Sequence, residues 1–267
     1  VTASYHNEGT VYVSLNGYRY DNFLPYLYVS TDYGATWSEI GKDLPSEPIN
    51  VVKEDPKNPN VIYVGTDNGL YVSINGGKNF MTFSGNLPRV AVHDIAIQER
   101  DNEMVIATHG RSLYKVKLDE VQALDFISNK EIHVFKPEQF MYDENAGKQF
   151  NVFDKPYEPV YQFPYYVKTA GTTTITIATV DGTIINEFTD ISEAGLNYLS
   201  YALTFDPKYK AAYEEYLNGL PVEGYREVAN LKPADNKMYY LLPGKYIIKF
   251  TAESLTTVQE TFEIIKQ

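Results

Sequence analysis

Tyr18, Arg19, Tyr20, Asp21, Asp67, His109 and Arg111 carry the side chains best suited to recognition or chemistry in this chain of 267 residues. Tyrosine and arginine dominate binding hot spots, and carboxylates and imidazoles do acid–base work. Breaking a glycosidic bond takes two carboxyl groups about 5–10 Å apart. Asp21, Asp67 and Asp94 are the acids near this group, and no motif pairs them. Holding an acidic sugar takes converging arginines. Arg19, Arg89, Arg100 and Arg111 have no spacing that gathers three. No G-x-S-x-G, P-loop, H-E-x-x-H or EF-hand pattern occurs. His6 and His93 fall at strand ends and His133 in an expected linker, without ligand spacing. Zero cysteines exclude thiolate metal sites and disulfides. The sequence therefore offers no catalytic residue, no metal site and no cofactor. For His109-Gly110-Arg111 a purely structural turn is the plain reading.

These residues need elements to position them, and the first half supplies a repeat. Thr10-Val11-Tyr12-Val13-Ser14, Tyr26-Leu27-Tyr28-Val29-Ser30 and Thr36-Trp37-Ser38-Glu39-Ile40 make one unit. Val61-Ile62-Tyr63-Val64-Gly65, Leu70-Tyr71-Val72-Ser73 and Asn79 to Phe83 make the next. Met104 to Thr108 and Ser112 to Val116 begin a third, and strands over 49–54 and 93–98 precede units two and three. Four short strands per unit of this length is the signature of a propeller blade.

The turns agree. Ser30-Thr31-Asp32-Tyr33-Gly34-Ala35-Thr36-Trp37 fits the Asp-box pattern S-x-D-x-G-x-T-W. Ser73, Asn75, Gly77 and Phe80 form a looser copy, with Asp32 and Asn75 43 positions apart. The Asp carboxylate is expected to accept backbone N–H groups of its own turn rather than act on a substrate. Gly34 and Gly77 supply positive φ. Trp37 is expected to bury its ring between sheets. Topology then sorts the loops. Those joining second to third strands, and one blade to the next, lie opposite the boxes. They hold Tyr18 to Asp21, Asp67, His109 and Arg111, together with 42–48 and 86–92. Tyr18 to Tyr20 read as an extended loop.

Residues 1–118 resemble the last blades of bacterial BNR/Asp-box, sortilin-like propellers, often labelled glycosyl hydrolases. The matching stretches are Leu24 to Tyr28, Glu54-Asp55-Pro56-Lys57-Asn58-Pro59, Val64 to Ser73 and Ala107-Thr108-His109-Gly110-Arg111-Ser112. A similar T-H-G-R segment marks the family's final blade. The second box lacks Asp and Trp, and the third blade has no box. The resemblance implies further blades upstream, on the same or a separate chain, because closed propellers take about four to eight. A strand from that region would complete the third blade.

Beyond about 120 the pattern changes. Residues 121–135 read as a linker or short helix. Residues 136–267 read as an immunoglobulin or fibronectin-III-like β-sandwich, with an insertion over about 206–238 that starts as a helix near 207–217. Thr173, Ile175, Ile177 and Thr179 alternate on one strand face, and Asp181-Gly182 signals a hairpin. The G-L-N start at 195 and P-G-K-Y at 243 resemble the sandwich that follows this propeller type. The fold class is thus all-β. A net charge of −12 excludes nucleic acid as a partner, and no apolar run reaches membrane-helix length. The expected function is a non-catalytic binding or scaffold module, secreted, periplasmic or at a bacterial cell surface, for an envelope complex, peptide or glycan. The alternative is an Asp-box glycoside hydrolase, xyloglucanase-like or sialidase-like, with its acids on other blades.

Overall fold

Short runs of Val, Ile, Leu and Tyr between Gly- and Asn-rich turns build three antiparallel sheets in the first part of the chain. The computed structural model describes residues 1–83, 87–221 and 228–266 and divides into two units, Val1–Phe126 and Ile127–Gln267. Blade 1 orders β1 (Thr2–Ala3), β2 (Val11–Leu15), β3 (Tyr26–Ser30) and β4 (Ser38–Glu39) from one edge to the other. Blade 2 repeats this with β5 (Ile49–Glu54), β6 (Ile62–Thr66), β7 (Gly69–Ser73) and β8 (Met81–Thr82). Blade 3 has β9 (Val92–Gln98), β10 (Glu103–Thr108) and β11 (Leu113–Lys117), three strands among the described residues. Blade 2 is covered on both faces, and all of β6 is buried. Between blades 1 and 2, Tyr12, Leu27 and Leu44 meet Ile49, Val52, Ile62 and Val64, with Val29, Ile40, Tyr71 and Phe80 at the margin.

The two box turns share one geometry. Ser30 Oγ bonds Asp32 Oδ1 and accepts the Gly34 N–H, while Asp32 accepts the Thr36 N–H at 2.8 Å and the Thr36 hydroxyl at 2.6 Å. In the copy, Ser73 Oγ accepts the Gly77 N–H and Asn75 Oδ1 the Asn79 N–H. Asn keeps the acceptor, which is why the looser box still closes. Gly34 and Gly77 have φ of +86° and +84°. The position between them and the acceptor is also left-handed, Tyr33 at +57° and Gly76 at +71°. One expectation fails: Trp37 is not buried. The residue is 46% exposed, and its indole N–H donates to Gly34 O of its own hairpin. Phe80 packs on blade 1, whereas the corresponding side of blade 1 faces solvent.

Helix α1 (Asp119–Ile127) follows blade 3. It is clasped to the E-D-P-K-N-P turn after β5. Buried Asp55 accepts N–H groups from Lys57 and Asn58, the Tyr63 hydroxyl and the Gln122 amide. Asn58 and Asn60 donate to Asp125, and Asn102 and Gln122 exchange side-chain hydrogen bonds.

The second unit comprises β12 (Ile132–Val134), β13 (Phe140–Met141), β14 (Tyr161–Val167), β15 (Gly171–Thr179), β16 (Ile184–Ser192), β17 (Gly195–Tyr201), β18 (Thr204–Phe205), β19 (Tyr239–Tyr240), β20 (Gly244–Thr251) and β21 (Thr257–Ile265). One sheet orders β12-β14-β17 and another β13-β21-β20-β15-β16. Phe163 and Tyr165 of the first share a core with Ile175, Ile177, Ile248, Phe250 and Phe262 of the second, which makes a two-sheet sandwich. Thr173, Ile175, Ile177 and Thr179 are all buried on one face of β15, and Gly182 closes the next turn at φ +94°. The stretch 121–135 is not simply a linker: it holds most of α1, and β12, with His133, pairs with β14. Ile132 and Val134 are buried in the core, so the strand forms where apolar burial is available. The insertion begins with Pro207–Tyr209 as a 3-10 turn and helix α2 (Lys210–Gly219), whose Tyr213 and Leu217 join the core. The pair β18–β19 closes its base. Residues 222–227 of the insertion, and 84–86 before β9, lie outside the described residues.

Candidate functional site at the loop end of the blades

Residues 16–25 connect β2 to β3. Tyr18–Tyr20 form a 3-10 turn rather than the expected extended loop, because local side chains fold the backbone back. Asn16 Oδ1 accepts the Tyr18 N–H, Gly17 O accepts those of Tyr20 and Asn22, and Asn22 Oδ1 accepts that of Leu24. A Cβ on Gly17 would stand 2.9 Å from Asn22 Cβ and O, so only glycine lets the two legs approach. Asp21 closes the turn at φ +51°, a region Asp tolerates better than most residues. Tyr18 packs edge-on against Phe23 at 6.1 Å and stays 62% exposed, while Tyr20 is 87% exposed. Arg19 is exposed between them.

Asp67 lies across the gap in the turn from β6 to β7. Asn50 links the two blades: it accepts from Asn16 at 2.8 Å and donates to Asp67 at 2.9 Å. Beside this chain, Glu47 accepts the Thr66 hydroxyl at 2.7 Å. Burial, then the Glu47 charge, raises the Tyr71 phenol, and Arg89 opposes the rise. In blade 3, the His109 N–H bonds Ala91 O, and the rings of His109 and His93 lie 5.3 Å apart, both exposed. Gly110 makes that turn at φ +72°, and Arg111 is exposed beside it.

Tyr18 to Asp21 thus form one knob, and Asp67 is tied to its base through Asn16 and Asn50. His109 and Arg111 belong to a separate turn of blade 3. Sequence reasoning passed over Asn16, Asn50, Glu47 and Phe23. Asn50 sits inside a strand, and nothing local marks it as a bridge between blades. Asp67 is engaged by Asn50, and Asp94 accepts the Ile95 N–H. Among the described residues no group of three or more His, Cys, Asp or Glu could hold a metal ion, and no helix is long and apolar enough to cross a membrane.

Residues 26–151 match the Sortilin-Vps10 family model, described as sortilin, neurotensin receptor 3. No curated protein matches the chain. Among solved structures, the GH74 xyloglucanase of Xanthomonas campestris is 11% identical with a TM-score of 0.36, over 97% of this chain and 37% of that one. The GH74 enzyme of Niastella koreensis is 11% identical with a TM-score of 0.34, over 96% and 37%. The extracellular domain of a putative hybrid two-component system of B. thetaiotaomicron is 12% identical with a TM-score of 0.32, over 91% and 30%. The chain spans about a third of the length of these structures. With its paired box turns, repeated four-stranded sheets and the family match over residues 26–151, it carries a sortilin-like Asp-box propeller segment.

Proposed function

We propose that the chain is a binding module of a secreted or cell-envelope propeller protein, and that the Tyr18-Arg19-Tyr20 knob makes the contact. The observation that carries this reading is a rigid turn that holds two tyrosines in water. Single exposed aromatics are ordinary, but here two tyrosines flank an arginine on one turn, and internal hydrogen bonds and a glycine-dependent close approach hold that turn. A preorganised contact surface loses little entropy on binding. Tyrosine and arginine together suit a peptide or the face of a sugar ring.

The test is a binding screen of the whole chain against a peptide library and a polysaccharide panel that includes xyloglucan. Replacing Tyr18, Arg19 and Tyr20 together by Ala should weaken any hit by about tenfold or more and leave the circular dichroism spectrum unchanged. Undiminished binding by the folded triple variant refutes the knob. Release of reducing ends from a polysaccharide would favour a hydrolase instead.

A further inference from the structure

We infer that residues 148–157, in the second unit, form a wedge that enters the interfacial layer of an uncharged lipid bilayer. Phe150, Val152 and Phe153 are 67%, 88% and 99% exposed. Apolar side chains scattered singly over a surface are ordinary, but three within four positions at one loop tip mark an interaction site. The loop is closed at its base. The Gly147 N–H donates to Tyr157 O at 2.7 Å, and the Tyr157 N–H donates to Lys148 O at 2.9 Å. That base is clamped to the stretch 234–240. The Asn236 N–H donates to Gly147 O, and Asp235 accepts the Gln149 N–H at 2.9 Å. A Cβ on Gly147, at φ +75°, would stand 2.4 Å from Ala234 Cβ, so the contact there is close. The feet are packed and the tip is bare.

The polar groups of the tip point to lipid as the medium that covers it. Asn151 Oδ1 accepts the Phe153 and Asp154 N–H groups at 2.9 and 3.0 Å. The Gln149 side-chain amide donates to Val152 O and Asp154 O. The carboxylate of Asp154, the one acid in the loop, takes the Asn151 amide. Two side chains of the loop thus occupy backbone groups that water would otherwise serve, as a segment needs where water is scarce. A protein partner supplies such hydrogen bonds itself; hydrocarbon does not. Near-complete exposure of Val152 and Phe153 also suits a medium that wraps the tip better than a flat protein face. Lys148 and Lys155 are exposed at the two feet. Their stems let the ammonium groups stay among headgroup phosphates while the rings go deeper. Two lysines against one aspartate make no polybasic cluster, and the whole chain carries −12. The attraction is therefore apolar, and a zwitterionic surface suits it better than an anionic one.

The test is flotation of the whole chain with phosphatidylcholine vesicles at about 1 mM lipid, since a small wedge binds no more tightly than a single acyl chain. The parent should float with the vesicles. Phe150→Ser with Val152→Ser and Phe153→Ser should lower its partition coefficient at least about tenfold. The melting point of that triple variant should stay within about 2 °C of the parent, as surface changes do. Trp37 is the only tryptophan in the chain, so Phe153→Trp with Trp37→Phe moves the reporter to the tip. Its emission should shift to the blue with vesicles and be quenched by lipid brominated on the acyl chains. No flotation and an unshifted emission overturn the proposal. Flotation kept by the folded triple variant puts the membrane contact elsewhere and overturns it as well. Raising NaCl from about 0.1 to about 1 M should change binding less than about twofold, because apolar insertion is not screened. A tenfold fall would assign the binding to the lysines and refute an apolar wedge. A dimer at micromolar concentration that the triple variant dissolves would assign the tip to a second copy and overturn the bilayer.

Discussion

Gly65 lies in β6 against Val92 of blade 3, and Gly65→Ala tests how tightly that interface is packed. An added Cβ would stand 2.6 Å from Val51 Cγ1, 2.7 Å from Val92 Cγ1 and 2.9 Å from Val92 O. Valine has little freedom at χ1, and the carbonyl belongs to a sheet backbone, so neither contact relaxes by a side-chain swing. The blades must separate by several tenths of an ångström. Overpacking of this kind costs about 1–3 kcal/mol. Restricting the unfolded chain returns about 0.4–1 kcal/mol. The net loss is about 1–2 kcal/mol, a fall in melting point of about 4–10 °C for a unit of this size. Blade 1 carries Ser14 and blade 3 Ala107 at the equivalent register, opposite Leu27 and Leu113; at this position the glycine is a property of the blade 2–blade 3 contact rather than of the fold. Urea denaturation followed by Trp37 emission reads the first unit alone, since the only tryptophan lies in it. A midpoint equal to or above the parent's, at unchanged slope, would refute the packing argument.

Four further outcomes follow from the same reasoning. Hydrogen bonds from the Thr36 side chain and backbone, then from Ser30, hold the Asp32 carboxyl down at about 2; the stability it adds is present above its ordinary value of 3.8 and is lost as pH falls from there towards about 2. Comparing acid melts of the parent with Asp32→Asn should show a shallower decline for the variant in that window, and parallel curves would exclude the role. Tyr33→Gly should raise stability by about 1 kcal/mol, the cost of a left-handed non-glycine residue, because Gly76 already fills that place in the second box; a lower melting point would show that the Tyr33 ring contributes more than its backbone strain costs. In the sandwich, Tyr246 donates to Leu242 O and pairs with the Tyr213 hydroxyl, which accepts the Leu242 N–H. Tyr246→Phe should cost about 1–2 kcal/mol by thermal melting, and a neutral result would remove that network from the stability account. Burial pushes Tyr213 up to about 12 and Tyr246 further, so the unit should lose stability as pH rises from 10 towards 12; both phenols ionising near 10 with the fold intact would contradict the burial.

The propeller half was legible because its information is local and repeated. A box turn is specified by residues within eight positions, and Asn75 in place of Asp keeps the acceptor that matters. Trp37 was misread because burial is settled by what stands opposite, which a repeat alone does not supply. In the second unit, β14 is hidden from sequence reasoning by Pro164 inside the run 161–167, since proline argues against a central strand. The structure accommodates it: β12 pairs with Tyr165–Val167, so at Pro164 the side towards β12 needs no N–H donor, and there its carbonyl accepts the Phe135 N–H. At the loop end, the Tyr18–Asp21 knob could be named from composition. The Asn16–Asn50–Asp67 chain could not, since its members are 34 and 17 residues apart and meet only when blades stack.

The clasp around Asp55 bears on how the gene should be cut. The repeat ends with β11, and a designer guided by periodicity alone would place a stop codon near residue 118. That truncation would strip Gln122 from a carboxylate that has no access to water, leaving a charge short of a donor at the base of blade 2. An expression boundary drawn after α1, at about residue 127, keeps the ion's full set of donors and is the shorter product that should remain soluble.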